Sequence, residues 1–227
     1  DAHNTAVGYR AGLLVSTGVE NTLIGSLAGD ALTATNENTA VGKSALSADT
    51  LGSRSTAIGQ GTLATQNFTT ATQTYNTAVG FQAGNAVTTG INHTLIGGLA
   101  GFALTDADYN VAVGYAALTT DTKGSRSVAI GNLALATQNF TTATDAYNVA
   151  VGYNAGIAVT TGTQNTLIGA RAGDALTDAD YNVALGAEAL SSDTLGSRST
   201  AIGRAALNAQ NFTTATDTHN TAVGFNA

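Results

Sequence analysis

Short apolar runs ending in glycine recur along the whole chain. Asn4-Thr5-Ala6-Val7-Gly8 returns as Asn76-Thr77-Ala78-Val79-Gly80, Asn148-Val149-Ala150-Val151-Gly152 and Asn220-Thr221-Ala222-Val223-Gly224, spaced by 72 residues each time. Within the first cycle the pattern starts at Asn4, Asn21, Asn38 and Ser55, steps of 17, and a longer step of 21 reaches Asn76. The later copies start at His93, Asn110, Ser127, Asn148, Asn165, Asn182, Ser199 and Asn220, which makes thirteen. The pentad reads Asn, Ser or His; then Thr or Val; then Ala or Leu; then Val, Ile or Leu; then Gly. That last position is filled by Gly8, Gly25, Gly42, Gly59, Gly80, Gly97, Gly114, Gly131, Gly152, Gly169, Gly186, Gly203 and Gly224.

Each position carries a structural expectation. The β-branched second residue is stiff at χ1 and favours a strand. Second and fourth residues share one face of a strand and the third takes the other. The apolar fourth residue is expected to point into a narrow core, with the third face at least partly buried. The fixed glycine is expected to end the strand at a corner where a Cβ would clash or φ must be positive. Three residues later comes a small residue, Ala11, Ala28, Ala45, Ala83 and so on, with Thr62 the exception. A second apolar stretch, as in Leu14-Val15, Ala31-Leu32 and Ala86-Val87, predicts a second strand before a polar return loop. No 3.6-residue stripe persists, so helices are excluded.

The fold class expected is therefore all-β, a parallel β-roll or β-solenoid of about 12 coils with 17, 17, 17 and 21 residues, its rungs ~4.8 Å apart. Residues 1–227 form a single repeat domain with cycles at 4–75, 76–147 and 148–219 and a fourth opening at 220. Stacked Asn4, Asn21 and Asn38 predict either an amide ladder or plain turn residues. Asp1-Ala2-His3-Asn4 aligns with Asp217-Thr218-His219-Asn220, so the chain is expected to be an uncapped piece of a longer array.

Composition narrows the function. There is no Cys, so no disulfide framework, thiolate nucleophile or Cys-ligated zinc, and the three His lie far apart. A net charge of −7 with eight scattered Lys and Arg argues against nucleic acid. No stretch approaches the roughly 18 apolar residues of a membrane helix, so no membrane insertion of this segment is expected. No cofactor or metal is implied.

Ser127-Val128-Ala129-Ile130-Gly131-Asn132-Leu133-Ala134 and Ser55-Thr56-Ala57-Ile58-Gly59 resemble the repeat of YadA-like heads of trimeric autotransporter adhesins. The Asn-Thr-Ala-Val-Gly variants are similar to repeats in bacterial and phage fibres. The resemblance spans all thirteen pentads. It implies a left-handed parallel β-roll, a homotrimer in which three chains form one fibre, and an extracellular, cell-surface or virion location. The coils here are longer than the compact coils of the simplest such heads, so return loops are expected to bulge outward. A slim roll of Ala and Thr also buries little apolar area against its ordering cost, which favours association independently. Leu23, Leu95 and Leu167, at the third position once per cycle, are expected to face a neighbouring chain or an internal core.

The fourth coil of each cycle carries the extra residues, including Phe68, Phe140 and Phe212. These are the candidate partner-contact loops, the alternative being that each Phe plugs its own loop. Asp49 and Arg54, Asp121 and Arg126, and Asp193 and Arg198 bracket a turn and suggest either local ion pairs or an Arg reaching carbonyls of an adjacent chain. Asp106 with Asp108, and Asp178 with Asp180, supply oxygen ligands but lack calcium-loop spacing, so solvated turns are expected. No nucleophile, base and orienter group together, and an enzyme is not expected. The function expected is a structural fibre or adhesin segment whose partners are itself and a host-cell surface protein or glycan. The alternatives are a passive spacer or matrix filament, an ice-binding solenoid suggested by 38 Thr, and a fibre-borne glycan hydrolase.

Overall fold

The structure, a computed structural model, describes residues 2–227. The described residues form strands, turns and bends with no helix, and their repeated parallel strands make a β-solenoid of about 13 turns. The chain divides into two compact units, one ending at Asn110 and one running from Val111 to Ala227. In the first, strands Thr5–Val7, Thr22–Ile24, Thr39–Val41, Thr56–Ile58, Thr77–Val79 and Thr94–Ile96 pair in parallel, each with the next. In the second, Val111–Val113, Val128–Ile130, Val149–Val151, Thr166–Ile168, Val183–Leu185, Thr200–Ile202 and Thr221–Val223 do the same. Like pentad positions pair throughout: Thr22 opposes Thr39, and Thr56 opposes Thr77 across the longer coil.

The strand faces are the reverse of the expectation. The third residue points inward: Leu23, Ala40, Ala57, Ala78 and Leu95 are all buried. The fourth points out, with Ile24 at 38% exposure and Ile96 at 39%. The reason is steric. The interior is filled from the turns and the segments just after them by Leu32, Leu46, Leu63 and Leu104, all fully buried, so the strand itself has room only for Ala or an occasional Leu. The β-branched residues then pack against one another along the outer sheet surface.

The second apolar stretch is not a strand. Residues 9–14 and 26–31 are turns, and Leu32 and Val87 enter the core from the segments that follow such turns. Left-handed backbone causes this, recurring at Arg10 (φ 56), Leu27 (φ 60) and Ser44 (φ 56), and again two residues further on. Such residues curl the chain and break the extended geometry a strand needs. The extra strands that do form are two-residue pairs, Gly52–Ser53 with Thr72–Gln73, Gly124–Ser125 with Thr144–Asp145 and Gly196–Ser197 with Thr216–Asp217. They close the loops that carry Phe68, Phe140 and Phe212.

Why the cycle is four coils long can be read from the core. In the first two coils a turn glycine, Gly12 or Gly29, faces Leu23; a Cβ at either would lie 2.7 Å from a Leu23 methyl. In the third and fourth coils the strand residue shrinks to Ala40 or Ala57, and the turn residue becomes Leu46 or Leu63, still with positive φ (53° and 48°). Leucine therefore comes from the strand in one case and from the turn in the other. Leu23, Leu95 and Leu167 are thus internal core residues and do not face a neighbouring chain.

This exchange predicts a coupling. Leu95→Ala opens a cavity and should cost about 2–5 kcal/mol. Gly101→Ala places a methyl 2.7 Å from Leu95 Cδ2 and should cost about 1–3 kcal/mol. The double variant should lose clearly less than the sum, as read from urea midpoints; strict additivity would contradict the proposed packing.

Candidate functional site

The first pentad position lines the interior and forms runs of an amide ladder that end at the serine of each fourth coil. Asn4 Oδ1 accepts from the Asn21 backbone N–H at 2.8 Å, Asn21 Oδ1 from that of Asn38 at 3.1 Å, and Asn38 Oδ1 from that of Ser55 at 2.9 Å. Each amide nitrogen donates to a carbonyl of the return loop: Asn21 Nδ2 to Thr35 O and Asn38 Nδ2 to Gly52 O. The ladder satisfies backbone groups that the short strands leave over, which is why Asn recurs there. His93 takes one rung. Its Nδ1 accepts from the Asn110 N–H at 3.2 Å, and its Nε2 lies 2.7 Å from Ala107 O. The pairing requires the neutral ring with hydrogen on Nε2, and burial pushes the His93 pKa down to about 4.

Once per cycle a glutamine clasps the ladder. Gln66 Nε2 donates to Asp49 Oδ2 at 2.6 Å and Ser55 Oγ at 2.9 Å, while its Oε1 accepts from Asn76 Nδ2 at 2.9 Å. Gln138 and Gln210 repeat the arrangement with Asp121 and Asp193. Asp49 Oδ1 also accepts from the Gly52 and Phe68 N–H groups. Burial pushes the Asp49 carboxyl above the usual carboxylate range, and these hydrogen bonds act in the opposite direction. The local Asp49–Arg54 ion pair expected from sequence does not form, because the carboxylate is buried and held by amides. Arg54 pairs instead with Glu37 on the neighbouring rung at 2.9 Å, and Arg126 and Arg198 pair with Asp145 at 3.0 Å and Asp217 at 3.1 Å.

The Phe loops turn inward. Phe68 and Phe140 are 6% exposed and Phe212 is half-buried, and a Cβ on Gly124 would lie 2.7 Å from the Phe140 ring. These rings plug their own loops, so it is the flanking Thr69, Thr70, Thr141 and Thr142 that are exposed. The paired acids are also engaged in the scaffold: Asp108 Oδ1 accepts from the Ile91 N–H and Asp180 Oδ1 from the Thr163 N–H. Among the described residues no three His, Asp or Glu gather as a metal site.

Two surfaces remain. One is the outer sheet face, built from the second and fourth pentad residues. The other is the corner one residue before each pentad, where every described residue has positive φ and its side chain is wholly or partly exposed. In the first unit Glu37, Arg54 and Tyr75 follow one another there; in the second Arg126, Tyr147, Gln164, Tyr181 and Arg198 do. Arg54 Nη1 donates to Tyr75 Oη at 2.6 Å, and the Arg198 guanidinium sits 4.6 Å from the Tyr181 ring centre. Sequence reasoning missed this column. Its signal was Tyr recurring immediately before the pentad at Tyr75, Tyr109, Tyr147 and Tyr181.

The His93 rung predicts an acid-sensitive step. The ring is neutral in the fold to about pH 4 but titrates near 6.5 when unfolded, so its contribution is complete above 6.5 and is lost as pH falls towards 4. The loss amounts to roughly 3 kcal/mol at most. His93→Asn, which copies the other rungs, should flatten the stability profile between those pH values in urea titrations; an unchanged slope would contradict the buried neutral ring. Comparison with protein-family models, curated proteins and solved structures finds no match, so the functional reading rests on this chain's own residues.

Proposed function

We propose that the chain is a segment of a structural fibre of the cell-surface or virion kind, in which three copies bundle through their outer sheet faces and present repeated corners for multivalent attachment. The winding is left-handed, as the resemblance to adhesin heads implies, with the 17, 17, 17 and 21 residues per coil that the pentad spacing gives. One observation carries the reading. The outer face bears Val, Ile or Leu at the fourth position of every pentad and Thr or Val at the second, and it carries no charge on any of the thirteen strands. Ile24, Ile58, Ile96, Ile130 and Leu185 are each more than a third exposed on a surface of repeating shape. A regular uncharged sheet surface of this extent is what a second copy of the same chain would cover. Many weak contacts spaced along such a bundle gain strength through effective concentration.

The same face favours a second reading. In the unit ending at Asn110 the second position is Thr throughout, from Thr5 to Thr94, so hydroxyl and methyl groups form a lattice that would suit ice. Ice binding needs the face open on a single chain. A passive spacer would share the bundle but bind neither cells nor glycans.

Light scattering on the purified chain should give the mass of three copies. Val79→Lys with Ile96→Lys should reduce it to one copy with an unchanged circular-dichroism spectrum, since both side chains lie outside the core. A monomeric parent chain overturns the bundle. A monomer with thermal hysteresis establishes the ice reading in its place.

A further inference from the structure

The Arg–Tyr corners hold their side chains too firmly for a purely solvated ridge. Arg54 Nε donates to Glu37 Oε2 at 2.9 Å and its Nη1 to Gln73 Oε1 at 2.9 Å and Tyr75 Oη. Tyr75 Oη donates in turn to Gln73 Oε1 at 2.7 Å, and its ring stays 47% exposed. Arg54 and Gln73, with Glu37 behind Arg54, thus hold one half-exposed aromatic ring by its hydroxyl. Next to the Tyr75 ring, which is not one of its walls, lies a cleft of about 210 Å³ lined by polar Asn36, Glu37, Ser53, Arg54, Thr72 and Gln73 together with two alanines. In the second unit the same elements recur. Arg126 pairs with Asp145 and sits 5.9 Å from the Tyr147 ring centre, and Arg198 pairs with Asp217 beside Tyr181.

We propose that these corners are saccharide-binding sites, each Tyr ring receiving the apolar face of a neutral sugar whose hydroxyls bond the adjacent Arg and carboxylate. Charge selects the ligand class. Every Arg at these corners has a carboxylate within 3.1 Å, and the chain carries −7 overall, so phosphate, sulfate or nucleic acid meets no net positive field. The lining selects it again. A peptide helix needs an apolar groove, whereas the cleft is walled by amides, hydroxyls and an ion pair, with Ala34 and Ala71 as its only apolar walls. Drug-sized ligands occupy sites of roughly 300 Å³ or more, so the smaller cleft suits a single ring. An Arg–carboxylate fork supplies adjacent donors and acceptors in a fixed plane, which matches neighbouring hydroxyls on one ring. In the second unit Tyr147 and Tyr181 stand two rungs apart, roughly 9.5 Å, so a linear oligosaccharide can engage both.

The site gives chemical content to the multivalent attachment proposed above and rests on that part of it, not on the bundling of copies. The test is retention of the fluorescent-labelled chain on an immobilised array of neutral, sialylated and sulfated oligosaccharides. Retention is expected on neutral members. Replacing Tyr75, Tyr147 and Tyr181 together by Ala should weaken it roughly tenfold or more, and replacing them by Phe should weaken it less. All three rings lie outside the core, so circular dichroism should not change. No neutral glycan retained, retention of acidic members alone, or equal retention by the Ala variant would each overturn the proposal. A monomer that retains neutral sugars refutes only the bundle; a trimer that retains none refutes only the sugar site. Loss of trimer mass in the Ala variant, without sugar binding by the parent, would reassign the corners to chain–chain contact.

Discussion

Everything in the fold follows from the closeness with which one rung sits on the next. At Gly8 a Cβ would lie 2.6 Å from the carbonyl oxygen of Gly25, and φ is 132°, a conformation that side chains rarely adopt. Contact and conformation both demand glycine there, and the conformation recurs at the same place in each coil. The stacked corners fix the register, and the register places Thr on Thr and Asn beneath Asn. Parallel strands of three residues would slip easily on their own. Here a slip of one residue would set a side chain against a backbone carbonyl.

Within that frame polar groups carry an unusual share of the cohesion. The interior holds a column of amides next to a column of Ala and Leu, and the Gln clasps join the column to the loops of the longer coils. Low dielectric strengthens such a network when every member is satisfied. His93 fits because an imidazole offers one acceptor and one donor at nearly the positions of a carboxamide's oxygen and nitrogen. The ladder therefore selects a hydrogen-bonding pattern more strictly than it selects a residue type.

The coil spacing, the parallel pairing and the corner glycines were legible in the sequence because each is a one-dimensional property. Inside and outside were not. Thr, Val, Ala and Ile alternate with no charged residue to mark the solvent side, so the pattern of Thr22-Leu23-Ile24 fits either face. Asn21 held the answer, since it lies on the same face as Leu23 and its amide had to meet buried carbonyls. The second strand expected at Leu14-Val15 and Ala31-Leu32 gives way to turns because Arg10 and Leu27 have positive φ, which such residues do not advertise. Arg54 was assigned to Asp49, five residues away in the chain, although in a stacked coil the nearest neighbours are 17 residues apart. The sequence leaves the Phe loops open between partner contact and plugging, and the buried Asp49, which accepts from the Phe68 N–H, draws the backbone inward and decides for plugging.

The exchange of leucine between strand and turn limits how such an array can grow. Losing the coil that supplies Leu23 would leave Gly12 without the leucine it faces, whereas the third and fourth coils, Ala40 with Leu46 and Ala57 with Leu63, share one core pattern. Recombination between copies of the gene is therefore least disruptive when it adds or removes a whole cycle, which preserves both the leucine order and one Gln66-type clasp per cycle. A variant that lost the leucine-bearing strand would betray itself by melting first at that junction.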